Sequence, residues 1–124
     1  MGKKVLIVDD ESNIRRLIRL SLEDDGFEIF EAADGKEGLA KAHELRPDVI
    51  ILDVMIPGMI GYKICEEIRK DPATAKAYIL FLSARDSQAT ETACKESGGN
   101  AFMSKPFEPE RLREHVLHLG QKLK

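Results

Sequence analysis

Two stretches of this chain are apolar without interruption, Val5-Leu6-Ile7-Val8 and Val49-Ile50-Ile51-Leu52. Both are rich in β-branched residues and too short for a helix, so each reads as a strand buried on both faces. A strand with no polar face needs cover above and below, and helices can supply it. With flanking residues included, strand segments fall at residues 4–8, 27–31, 49–52, 78–82 and 101–104. Segments with helical spacing lie between and after them. Strict alternation of this kind implies an α/β fold, with a parallel sheet wound by helices on both faces. Phe27-Glu28-Ile29-Phe30-Glu31 is mixed in polarity and suits a place nearer a sheet edge.

The helical segments have recognisable ends. The first is expected near Ser12, with Ile14, Leu17, Ile18, Ser21 and Leu22 in one stripe, and Asp24-Asp25-Gly26 stops it through a glycine cap. The second covers about 36–45 and ends before Pro47. The third follows Gly61 and runs to about Lys70, and the fourth spans about 87–96 before Gly98-Gly99. The last opens at Glu108-Pro109 and carries Leu112, Val116, Leu119 and Leu123 on one face.

The 124 residues suit one domain over 1–124. An apolar share of 43% is too high for a disordered chain, and a net charge of −3 gives no footprint for nonspecific nucleic-acid binding. No apolar run is long enough to cross a membrane or form a signal-peptide core, so a cytoplasmic location is expected. Cys65 and Cys94 make neither a disulfide framework nor a zinc site and read as small buried groups.

In an open parallel sheet, ligands bind beyond the carboxyl ends of the strands. The first strand ends in Asp9-Asp10, the third in Asp53, the fourth in Ser83-Ala84 and the fifth in Ser104-Lys105-Pro106. Three carboxylates, a hydroxyl and an ammonium therefore meet on one rim. Clustered carboxylates repel one another and call for positive charge. Lys105 supplies one unit, and an oxygen-only ligand set favours Mg²⁺ or Mn²⁺ over zinc for the rest. A carboxylate beside a metal, a lysine and a hydroxyl is equipped to attack phosphorus. Taken singly, Asp9-Asp10 also fits a helix cap, Ser83 a cap and Phe102 plain core; the set on one rim is what carries the chemistry. His115 and His118 are three apart with no third ligand beside them and read as surface residues.

These pieces resemble the receiver domain of a two-component response regulator, of the stand-alone, chemotaxis-regulator type. The matching motifs are Val-Asp9-Asp10-Glu, Leu-Asp53-Val-Met-Ile-Pro57-Gly58, Leu-Ser83-Ala84 and Lys105-Pro106-Phe107. The resemblance covers the whole chain and implies a flavodoxin-like strand order 2-1-3-4-5. It implies that Asp53 accepts a phosphoryl group from a histidine kinase or a histidine phosphotransfer protein. Asp9, Asp10, Asp53 and the backbone carbonyl of Met55 would hold Mg²⁺, with Ser83 and Lys105 on the phosphoryl group. Phe102 matches the aromatic switch position, and a cis Lys105–Pro106 peptide is implied as well. The switched face would be the fourth helix, fifth strand and fifth helix, read by an unknown downstream protein. The kinase would dock on Asn13, Ile14, Leu17, Pro106 and Phe107, with Ile14 an exposed anchor. Such a domain is no enzyme beyond its own phosphorylation and a slow loss of phosphate, which Met55 and Arg85 would hinder further.

Two departures from the family pattern stand out. Ile60 replaces a polar residue, and Gly99 replaces alanine, which is expected to loosen its turn slightly. The alternative reading is a metal-dependent phosphohydrolase with an aspartyl-phosphate intermediate. That chemistry needs an acid/base Asp two residues after the nucleophile, where Met55 stands. A flavodoxin-type cofactor binder would need a phosphate-holding loop after the first strand, which Asp9-Asp10-Glu11 would repel.

Overall fold

The computed structural model of the protein describes residues 3–56, 59–84 and 87–122. Five strands alternate with five α-helices: β1 Lys4–Val8, α1 Ser12–Leu22, β2 Glu28–Ala32, α2 Gly35–Leu45, β3 Val49–Asp53, α3 Gly61–Lys70, β4 Tyr78–Ser83, α4 Gln88–Glu96, β5 Ala101–Ser104 and α5 Pro109–Lys122. All strands are parallel, in the order β2-β1-β3-β4-β5. The two uninterrupted apolar runs become β1 and β3, in the interior of the sheet, and the mixed run becomes the β2 edge.

Each face of the sheet has its own core. Leu6, Val8, Ile50, Leu52, Ile79 and Phe81 point to one side, under Ala42 of α2, Ile64, Cys65 and Ile68 of α3, and Cys94 of α4. Val5, Ile7, Val49, Ile51, Leu80 and Leu82 point to the other, under Ile18 and Leu22 of α1 and Leu112 and Val116 of α5. Burial of each such Leu or Ile contributes about 1.5–3 kcal/mol. The two cysteines are buried and unpaired, as expected. The side chain of Leu119 and all of Leu123 lie outside what is described, as do Pro57, Gly58 and Arg85.

The ends of elements depart from the sequence reading by a residue or so, for local reasons. β2 begins at Glu28, whose N–H donates to the Lys3 carbonyl at 2.9 Å, while Phe27 packs into the core beneath α1 and α5. Gly26, at φ 80, follows a short 3-10 turn over Glu23–Asp25 rather than α1 itself. Ser87 is the cap of α4, not its first residue: its Oγ accepts from the Thr90 N–H at 3.2 Å. At α2, Asp34 accepts from Glu37 N–H while the Glu37 carboxylate accepts from Ala33 N–H, each at 2.8 Å.

Gly99 needs correction. A β-carbon there would sit 2.5 Å from the Phe81 ring and 2.9 Å from the Cys94 carbonyl. The glycine lets the α4–β5 turn close over the ring, so it tightens the turn rather than loosening it. Beside it, the Arg69 guanidinium at the end of α3 donates to the carbonyls of Gly98, Ala75 and Ala77 and to the Asn100 side chain. One side chain thus ties α3 to the start of β5.

Candidate functional site

The register of the sheet decides what meets at its carboxyl end. Val8 of β1 pairs with Leu52 of β3, so the next residues, Asp9 and Asp53, come off neighbouring strands side by side. Ser83 pairs with Ser104, which places Lys105 one step beyond the hydroxyl. The Lys105 N–H donates to the Ser83 carbonyl at 2.7 Å, and the Lys105–Pro106 peptide is cis.

From there the lysine side chain reaches back across the sheet. Its Nζ lies 2.8 Å from Asp9 Oδ2 and 3.1 Å from Asp53 Oδ2. All three groups are buried or nearly so: Asp9 is 1% exposed, Asp53 6%, and the lysine side chain 10%. The second oxygens are held by backbone. Asp9 Oδ1 accepts from Glu11 N–H at 2.9 Å, and Asp53 Oδ1 from Met55 N–H at 3.2 Å. Arg15 of α1 donates to the Asp9 carbonyl at 2.8 Å and pairs with Glu31 of β2, which fixes the β1–α1 corner.

Burial pushes the Asp53 carboxyl above its ordinary range; the Lys105 hydrogen bond opposes this and the Asp9 charge adds to it. For Lys105, burial works against the ammonium, but hydrogen bonds to Asp9 and Asp53 prevail and hold it firmly charged. Asp10 completes the acidic group from an exposed position, and Asp9, Asp10 and Asp53 each offer an oxygen within 4.8 Å of the others. It is the one such cluster among the described residues. Three carboxylate oxygens facing one ammonium leave negative charge uncompensated, and an all-oxygen set of this size suits a hard divalent cation.

The cluster opens into a cleft of about 360 Å³ lined by Asp10, Glu11, Asp53, Met55, Ser83 and Lys105. Ser83 is buried at its base, while Met55 stands 64% exposed at its edge and Ile60 is exposed nearby on the same loop. The start of α3 presses on that loop from below. Gly61 donates to the Val54 carbonyl at 2.8 Å, and a β-carbon on it would lie 2.5 Å from the carbonyl oxygen of Asp53.

The other singled-out residues are spread more widely. Phe102 is half-buried against the α2–α3–α4 core and lines a groove of about 420 Å³ with Glu91, Met103, Phe107, Arg111 and His115. Asn13 and Pro106 are exposed, and Leu17 is half-buried. Phe107 packs against the opposite core. Ile14 does so too, so it is no exposed anchor; the exposed apolar residue of α1 is Leu20, at 52%. His115 is likewise no plain surface residue. Its Nε2 lies 3.3 Å from the Tyr78 hydroxyl, and burial together with the nearby His118 lowers its proton affinity. Two contacts have no local sequence signal: the Glu11 carboxylate approaches Lys105 at 3.7 Å, and Gly61 rests on the Asp53 carbonyl.

Comparison with known proteins agrees with this fold. A family profile described as the response regulator receiver domain matches residues 5–117. The alkaline phosphatase synthesis transcriptional regulatory protein PhoP of Bacillus subtilis is 38% identical over 116 residues, covering 94% of this chain and 48% of PhoP. The transcriptional regulatory protein ResD of the same organism is 41% identical over 116 residues, covering 94% of this chain and 46% of ResD. The chain thus spans about half the length of these curated relatives. Among solved structures, the chemotaxis response regulator CheY4 of Vibrio cholerae superposes with a TM-score of 0.90 at 37% identity, over 96% of this chain and 99% of that one.

Proposed function

Because the chain belongs to the response regulator receiver family, we propose that it is a phosphoacceptor switch. Asp53 takes a phosphoryl group from the phosphohistidine of a histidine kinase or a phosphotransfer protein. The observation that carries this reading is the single ammonium of Lys105, shared between Asp9 at 2.8 Å and Asp53 at 3.1 Å.

An Asp53 oxygen forms the new bond to phosphorus, the P–N bond of the donor breaks, and the imidazole leaves with the electron pair. The nucleophile must be ionised, and burial opposes that. Lys105 offsets the penalty by donating to the carboxylate, and it is placed to pair with the transferred group. Ser83 sits within the same cleft and donates its hydroxyl to a phosphoryl oxygen. Asp9, Asp10, Asp53 and the Met55 carbonyl are the groups that would hold Mg²⁺ or Mn²⁺. The cation, when bound, neutralises charge on the phosphoryl oxygens.

Phosphorylation adds charge and acceptor oxygens where a carboxylate stood. Ser83 and Lys105 are drawn to them, and the β4 and β5 ends move with these residues. Phe102, half-buried at the mouth of the α4–β5–α5 groove, has room to change its packing and alter that face for a downstream protein. The kinase side docks over α1 and the β5–α5 loop through Asn13, Leu17, Pro106 and Phe107, with Ile14 supporting them from beneath. Loss of phosphate is slow, because the apolar Met55 lines the cleft and hinders an attacking water; Arg85 is assigned the same role by sequence.

The test is incubation with acetyl phosphate and Mg²⁺ followed by intact mass. The expected result is a gain of one phosphoryl group, absent in Asp53→Asn. An unmodified wild-type protein under these conditions would overturn the proposal.

A further inference from the structure

The residue at the N-terminal cap of α1 is Glu11, and its side chain makes no capping hydrogen bond. Ser, Thr, Asp and Asn are favoured there because their short side chains reach the free N–H groups; Glu is not among them. Its carboxylate instead lines the cleft, 62% exposed, with Oε1 3.7 Å from Lys105 Nζ. Lys105 is the one cation among the described residues that line this cleft, and Asp9 and Asp53 already hold it at hydrogen-bond distance. Arg15, one turn into α1, is committed to Glu31 and to the Asp9 carbonyl. Three carboxylates, Asp10, Glu11 and Asp53, line the cleft, and a fourth, Asp9, lies buried against Lys105, so four stand against one ammonium around it. It remains negative after a divalent cation has bound.

We infer that Glu11 is a specificity-determining residue that filters the phosphoryl donor by charge, disfavouring small anionic donors and favouring a phosphohistidine with a cationic group beside it. The inference rests on the proposed phosphoacceptor role of Asp53. Glu11 touches neither the reacting oxygen nor the backbone that shapes the site through its side chain, so its influence is exerted across the mouth of the cleft. In each reaction an Asp53 oxygen bonds to phosphorus while the P–O bond of an acyl phosphate, or the P–N bond of a phosphoimidazole, breaks. Acetate or imidazole departs with the electron pair. The donors differ in the charge they bring past Glu11, not in the bond formed.

The experiment compares three small donors on the intact chain with saturating Mg²⁺: acetyl phosphate, a dianion at neutral pH; N-phosphoimidazole; and N-phosphohistamine, which adds one ammonium beside the same P–N bond. Second-order rate constants are measured for wild type, Glu11→Gln and Glu11→Lys. At ionic strength of about 0.01 M, where screening reaches only beyond ~30 Å, Glu11→Gln is expected to speed acetyl phosphate about five- to tenfold. The rate ratio of phosphohistamine to phosphoimidazole is expected to fall about two- to threefold, with Glu11→Lys extending both trends. At about 1 M salt the differences should vanish. Equal changes for all three donors, or ratios that ignore salt, would overturn the inference while leaving the acceptor role intact. That role stands or falls on phosphoryl gain by the wild type, and no gain from any donor overturns both.

Discussion

At the scale of single residues, the site is a balance of charges taken out of water. Asp9 and Asp53 are buried and Lys105 answers both. Removing one member of a buried ionic group leaves the others uncompensated, which typically costs about 3–5 kcal/mol. Lys105→Met should therefore lower the unfolding free energy by roughly that amount at neutral pH in the absence of divalent cations, as read by urea denaturation. The pH dependence has a definite sign. Without the ammonium, the buried Asp53 carboxyl moves further above its ordinary range. A carboxyl with a raised folded pKa stabilises below the unfolded value and loses that contribution as pH rises through the folded one. The deficit of the variant should thus shrink as pH is lowered from 7 toward the ordinary Asp value of 3.8. A deficit that stayed constant with pH would mean that Lys105 acts through packing alone.

At the scale of elements, the alternation of strand and helix was legible because β1 and β3 are apolar on both faces, a pattern only a covered central strand produces. The rim residues were legible for the same reason, since each follows directly on a strand. What escaped was contact between elements remote in sequence. The helical stripe that marks Ile18 and Leu22 as core also contains Ile14, and a residue on that stripe cannot be the exposed anchor of the same helix. Nothing local to His115 signals Tyr78, 37 residues away. The tightness at Gly99 has no local signal, because its neighbour is the Phe81 ring of β4. Gly99→Ala should destabilise by about 1–3 kcal/mol through overpacking, and Phe81→Leu in the same chain should recover part of the loss. Additive losses in thermal or urea unfolding would show that the ring and the turn do not press on each other.

At the scale of the whole molecule, the acidic rim makes stability depend on what is bound there. A ligand that binds the folded chain alone stabilises it by about 2.7 kcal/mol at a hundredfold excess over its dissociation constant. With Mg²⁺ as the proposed ligand, the melting temperature should climb with its concentration. Asp10→Asn should blunt the climb while leaving the metal-free protein nearly as stable as wild type, because Asp10 is exposed. A full response in that variant would remove Asp10 from the ligand set. The packing beside the acceptor also differs from one side to the other. Helix α3 begins with a residue that has no side chain, resting directly on the peptide oxygen of Asp53. Main chain lies against main chain there, with no rotamer between them to absorb a shift. The acceptor is in effect bolted to the floor on that side. Rearrangement after chemistry at Asp53 would therefore be shunted sideways across the sheet, toward the strand ends that carry Ser83 and Lys105.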